Sequence, residues 1–202
     1  MRVRIPAIYG ALIAVLVASV SSAAAPPIDG LLDLAWKGNN VRITYYDATV
    51  SPEWSPLVQE AIALWDQTPY FDMRYVKVAS EAEFPNNAKN AVFIVEREQS
   101  ADALTTPSNA GSVSWWRIEV SPTPTYNWAL DPSWLPRDPT WFMRRTIRHE
   151  IGHTLTVGHH NSGWSSPTAT PWGNAAEPDC AMANGNDVTA WDLSLIAQRY
   201  GR

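Results

Sequence analysis

Cysteine occurs once, as Cys180, so no intramolecular disulfide can form and the fold must rest on its core and any bound metal. Positive charge is sparse as well. Fifteen Lys and Arg stand against twenty Asp and Glu, for a net charge of −5 and a pI near 5.3. That balance, with no basic stripe along the chain, excludes nucleic acid and anionic membrane surfaces as expected partners. No apolar run reaches the roughly 20 residues of a membrane-spanning helix. The longest, over 7–20, follows the positive MRVR and precedes the small residues Ala23-Ala24-Ala25 and then Pro26-Pro27. It reads as a secretory signal over 1–25, so the mature chain is expected to be secreted, without a stable membrane anchor. Histidine is the last scarcity. There are four, and His149, His153, His159 and His160 all fall within HEIGHTLTVGHH.

What remains is ample for one core: 46% hydrophobic residues and eleven Trp. A short segment over 26–39 leads into a single domain over 40–202. VRITYYDATV (41–50) has strand composition. Pro56, capped by Ser55, opens a helix with Leu57, Ala61, Leu64 and Trp65 at helical spacing, which must end before Thr68-Pro69. Strands are expected over 71–80, 90–98 and 113–121, with TTPSNAGS (105–112) between the last two as a loop. A Pro- and Trp-rich surface loop from 123 then leads to Asp138-Pro139, a cap followed by proline at the first helical position. That helix should reach Leu155 or Val157. A last helix from Thr189 places Trp191, Leu195, Ile196 and Tyr200 on its apolar side and stops at Gly201. The order gives an α+β domain with no internal repeat.

His149 and His153 are four apart on the second helix, so both imidazoles can address one point. Glu150 can reach a water there without being a ligand. Gly158 lets the chain turn so that His159 adds a third nitrogen, and three neutral nitrogens with an open fourth position suit catalytic zinc. With four His and nine Glu, shuffling would produce HExxH only about 0.003 times.

His149-Glu150-Ile151-Gly152-His153, with Gly158-His159, resembles the metzincin clan of zinc metallopeptidases, and HEIGHTL with VGH is most similar to its matrixin branch. Met182 in DCAMANG and the helix DLSLIAQRYG resemble that clan's methionine turn and closing helix. VQEAIALWDQTPYFDMRYV resembles its first helix and second strand. The likeness spans roughly 40–201. It implies a zincin domain: a twisted mixed sheet, a long first helix, an active-site helix carrying HExxH, a Met-turn with Met182 beneath the metal, and a C-terminal helix. It also implies one Zn2+ on His149, His153 and His159, and a secreted endopeptidase that cuts peptide or protein substrates through a zinc-bound water activated by Glu150. Substrate backbone is expected to add to a sheet edge at 112–120, beside Trp115 and Trp116. The pocket wall is expected in 161–174, with Trp164 and Trp172. A monomer is expected. No oxygen-ligand loop of calcium spacing is visible.

One position departs from the clan pattern, which has glycine where Thr156 stands. Either Thr156 adopts positive φ, at a cost on the order of 1–2 kcal/mol, or the break moves to Gly158, which leaves His160 as an alternative third ligand. Spacing favours His159. Three other readings compete: a binding module whose structural zinc is closed by His160 or Asp179, a zinc peptidase with Glu177 as acidic ligand, and an inactive relative that binds peptides.

Overall fold

The computed structural model describes residues 32, 35–38, 40–98, 103–108, 113–122, 139–158, 182 and 187–201. The expected signal segment 1–25, the aromatic loop over 123–138 with its cap Asp138, and the pocket wall 161–174 lie outside the described residues. No helix among the described residues is long and apolar enough to cross a membrane.

Five strands, β1 (Val41–Asp47), β2 (Phe71–Lys77), β3 (Ala91–Glu96), β4 (Ala103–Pro107) and β5 (Trp115–Val120), form one sheet in the order β2-β1-β3-β5-β4. Three of the four pairings are parallel, and β4 alone runs antiparallel, against β5. With three α-helices, α1 (Trp54–Trp65), α2 (Pro139–Thr154) and α3 (Ala190–Tyr200), this is an α+β architecture with a mixed sheet. The first two strands end three residues before the expected limits, where Asp47 and Lys77 close the ladder.

Two expectations are corrected. TTPSNAGS is not simply loop, because Ala103–Pro107 forms β4 across from Val120 to Trp116. The expected edge strand over 112–120 is therefore β5, an interior strand between β3 and β4. The strand was obscured by its length of five residues and by its closing proline, a residue that sheets admit at an edge strand's end. Trp116 is buried inward, while Trp115 on the opposite face is partly exposed and near the Phe93 ring. The second correction concerns α1. It starts at Trp54, not Pro56, and its N-cap is Glu53 without a side-chain cap bond. Ser55 serves elsewhere, donating its hydroxyl to Asp47 at 2.8 Å.

Alternation along the strands sends Ile43, Tyr45, Val92, Ile94, Trp116 and Ile118 into one cluster with the helices. α1 contributes Leu57, Val58, Ala61, Ile62 and Trp65; α2 contributes Met143, Ile147 and Ile151, and Leu155 just past its end continues the spacing of four. Fully burying one such isoleucine contributes about 2 kcal/mol. β3 is buried on both faces except at Phe93 and Glu96, as a strand inside a largely parallel sheet should be.

Asp47, fully buried at the end of β1, fastens three elements. It accepts from Thr49 N–H at 2.8 Å and Thr49 hydroxyl at 2.6 Å, and from Ser55 of α1 and Tyr75 of β2 at 2.8 Å each. Lys77 stands 3.3 Å away. Burial pushes this carboxyl up, but the hydrogen bonds from Thr49, Tyr75 and Ser55 outweigh it and hold the pKa below its ordinary value. Burial, with Asp47 beside it, pushes the Tyr75 phenol up to about 12.

Candidate metal centre

The 3.6-residue period of α2 decides what each of its flanks meets. The stripe Met143, Ile147, Ile151 and Leu155 faces the core, and His149 and His153 lie roughly 160° around the helix from it. Glu150 falls between these two directions, towards the sheet's β4 edge. His149, Glu150 and His153 each offer a ligand atom, and the three atoms lie within 4.8 Å of one another. The two imidazole rings are 4.7 Å apart between centroids and nearly perpendicular. This group is able to hold a metal ion.

The ring of His153 is oriented from behind. Its Nδ1 lies 2.9 Å from the carbonyl oxygen of Val157. A carbonyl only accepts, so Nδ1 carries the proton and Nε2 keeps its lone pair for a metal, the arrangement in which an outer partner fixes the ligand's tautomer. Burial pushes the His153 pKa down, against the carbonyl's opposite pull. The neutral, ligating form is thereby favoured.

Val157 reaches that position because α2 ends in a Schellman turn. Thr156 N–H donates to His153 O at 2.9 Å and Val157 N–H to Gly152 O at 3.1 Å. The residue that must turn left-handed is Thr156, at φ +71°. Of the two options its presence raised, the structure takes the first: the break stays at 156. Surrounding groups hold it there. Leu32 N–H donates to its carbonyl at 2.9 Å, and its hydroxyl lies 3.3 Å from that of Tyr200 on α3. Two residues earlier, the Trp36 indole donates to Thr154 O at 2.7 Å, and Tyr45 meets the Thr154 hydroxyl at 3.0 Å.

Met182 is buried directly against Gly152, the residue before His153. A Cβ at 152 would overlap the Met182 sulfur and come within 2.8 Å of the Trp65 ring. Only glycine permits this approach. Met182 is tied in turn to α3, since its N–H points to Asp192 at 3.4 Å while Asp192 closes a capping box with Thr189. On the same flank of the helix, Trp65 donates to Arg148 O at 2.9 Å, and the buried Arg148 joins Glu60 at 2.5 Å and Asp187 at 3.0 Å.

Of the residues singled out by sequence, His149, Glu150 and His153 are thus brought together, and Met182 packs against Gly152 of the same helix. His159, His160, Glu177, Asp179 and Cys180 lie outside the described residues. Sequence reasoning missed Thr105 of β4, whose hydroxyl donates to Glu150 Oε2 at 2.5 Å. The alternation through Leu104-Thr105-Thr106 was its only local trace. The Val157 carbonyl was also missed, and a backbone acceptor leaves no mark in side-chain chemistry.

Fold and site together define an α+β protein with a helix-borne His–Glu–His group suited to a metal ion. No family model and no curated protein matches the chain. Among solved structures it is similar to one entitled "Structure of myroilysin", at 14% identity over 81% of this chain and 94% of that one, with a TM-score of 0.44. Likeness at that level carries no functional weight, which rests on the site.

Proposed function

We propose that this chain is a secreted zinc-dependent endopeptidase of metzincin type. The observation that carries the reading is the convergence of His149, Glu150 and His153 within 4.8 Å, with the His153 ring fixed by Val157 O. The donor set fits zinc: two neutral imidazoles from one helix turn, with His159 the proposed third ligand just beyond it. The sequence likeness to the matrixin branch at HEIGHTL, VGH and DLSLIAQRYG supports the finer placement, and the signal-like N-terminus supports export.

When bound, zinc would acidify the attacking water and stabilise negative charge on the peptide carbonyl oxygen. The rest falls to the chain. Glu150 takes a proton from the water as it attacks the carbonyl carbon, then delivers it to the departing amine nitrogen. Met182 and Trp65 floor the helix below the ligands, so that His149 and His153 keep their separation. With β5 inside the sheet, the edge proposed for substrate docking is β4 in place of 112–120. Among the described residues β4 has a strand neighbour on one side only, and an extended peptide would add along the other.

The test is hydrolysis of unfolded protein by the zinc-loaded mature chain beside Glu150→Ala. Activity should fall at least about 100-fold in the variant with zinc content retained. Equal cutting by both would remove Glu150 from the base role, and no cutting by a wild type that binds one zinc would reject the enzyme. In parallel, His159→Ala should lose zinc where His160→Ala keeps it; the reverse result would exchange the two.

A further inference from the structure

From the sheet, Thr105 of β4 reaches the Glu150 carboxylate. Its hydroxyl stands 2.5 Å from Oε2 and 3.4 Å from the Glu150 main-chain carbonyl. One hydroxyl proton serves one strong bond, and the shorter, charge-assisted contact to the carboxylate takes it. The donor is itself well held. Thr105 pairs with Ile118 in the ladder to β5, and Ile118 is fully buried. Leu104 and Thr106 point to the other face, so alternation aims Thr105 inward at α2. Its branched Cβ further limits rotation.

From this geometry we propose that Thr105 is the positioning residue for the Glu150 base; the inference rests on the peptidase reading above. A glutamate has three side-chain torsions, and a base must sit within about 2.6–3.2 Å of the proton it removes. Fixing Oε2 from β4 restricts the carboxylate plane and leaves the second oxygen to act as the base. The strand that holds the base is also the strand along which substrate would lie. The separation between base and scissile carbonyl is then set by one rigid element, where a displacement of about 1 Å would cost on the order of 100-fold in rate.

Thr105→Val keeps the shape and strand preference and removes only the hydroxyl, while Thr105→Ser keeps the hydroxyl. Steady-state hydrolysis of a peptide substrate should show kcat down about 10-fold in the valine variant, with KM within about twofold and zinc content unchanged, and kcat within about threefold of wild type in the serine variant. Unchanged kcat in the valine variant, or a raised KM with kcat retained, overturns the proposal, because a merely structural role in the edge strand would disturb binding instead. A second readout needs no activity. In a double-mutant cycle of thermal unfolding, Thr105→Val should lower Tm by about 3–6 °C in the wild type and by less than about 1 °C in the Glu150→Ala background. Additive shifts would overturn the contact itself. Coupled shifts with an inactive wild type would overturn the peptidase reading while the hydroxyl's hold on the carboxylate stood.

Discussion

A threonine at φ +71° has its branched Cβ crowding the backbone, a conformation costing on the order of 1–2 kcal/mol. Thr156 offsets that strain with its hydroxyl, 3.3 Å from Tyr200, and with the Leu32 bond to its carbonyl. Two substitutions separate these contributions. Thr156→Gly removes the strain and the hydroxyl together, adds chain entropy to the unfolded state, and should change stability by less than about 1 kcal/mol. Thr156→Val keeps the strain, loses the hydroxyl, and should destabilise by about 1–2 kcal/mol. Urea unfolding of both variants is the measurement, and a glycine variant several kcal/mol less stable would refute the strain account. The same turn delivers the Val157 carbonyl to His153, so a local backbone choice reaches a candidate metal ligand.

At the scale of elements, β1, α1 and β2 meet at Asp47. A buried carboxylate with four hydrogen bonds from Thr49, Ser55 and Tyr75 and a lysine nearby is costly to replace, because an amide would leave several donors facing a donor. Asp47→Asn should destabilise by about 3 kcal/mol at neutral pH. Since the folded pKa lies below the ordinary value of 3.8, protons bind the unfolded chain more readily. The carboxylate's stabilisation is fully present above pH 4–5 and is lost as pH falls through the folded pKa. Unfolding of wild type and variant followed from pH 7 to pH 2.5 should show their difference narrowing below about pH 4. A constant difference across that range would show that charge is not what Asp47 contributes.

Across the whole molecule, the candidate metal centre gathers groups far apart in sequence: α2 supplies the histidines, β4 touches Glu150, and α3 anchors Met182 and Thr156. A metal bound by this assembly and not by the unfolded chain stabilises every part, by about 2.7 kcal/mol at a hundredfold excess over Kd. Chelation should therefore lower Tm by about 5 °C or more, reversibly with added zinc, and His149→Ala should be insensitive to chelator. Much of this was legible beforehand. The helix-borne histidines, the glutamate between them and the apolar stripes follow from the 3.6-residue period, which depends only on neighbours along the chain. The closing helix with Tyr200 on its apolar side was legible for the same reason. What the tertiary structure decided is whatever depends on partners distant in sequence. A five-residue segment ending in proline becomes the edge strand because β5 offers it a ladder. Thr156 takes a glycine's conformation because Leu32 and Tyr200 hold it. Gly152 is glycine because Met182, thirty positions on, occupies the space a Cβ would need. Periodicity is a property of the local chain, whereas strand order, left-handed strain and close approach are set by long-range packing.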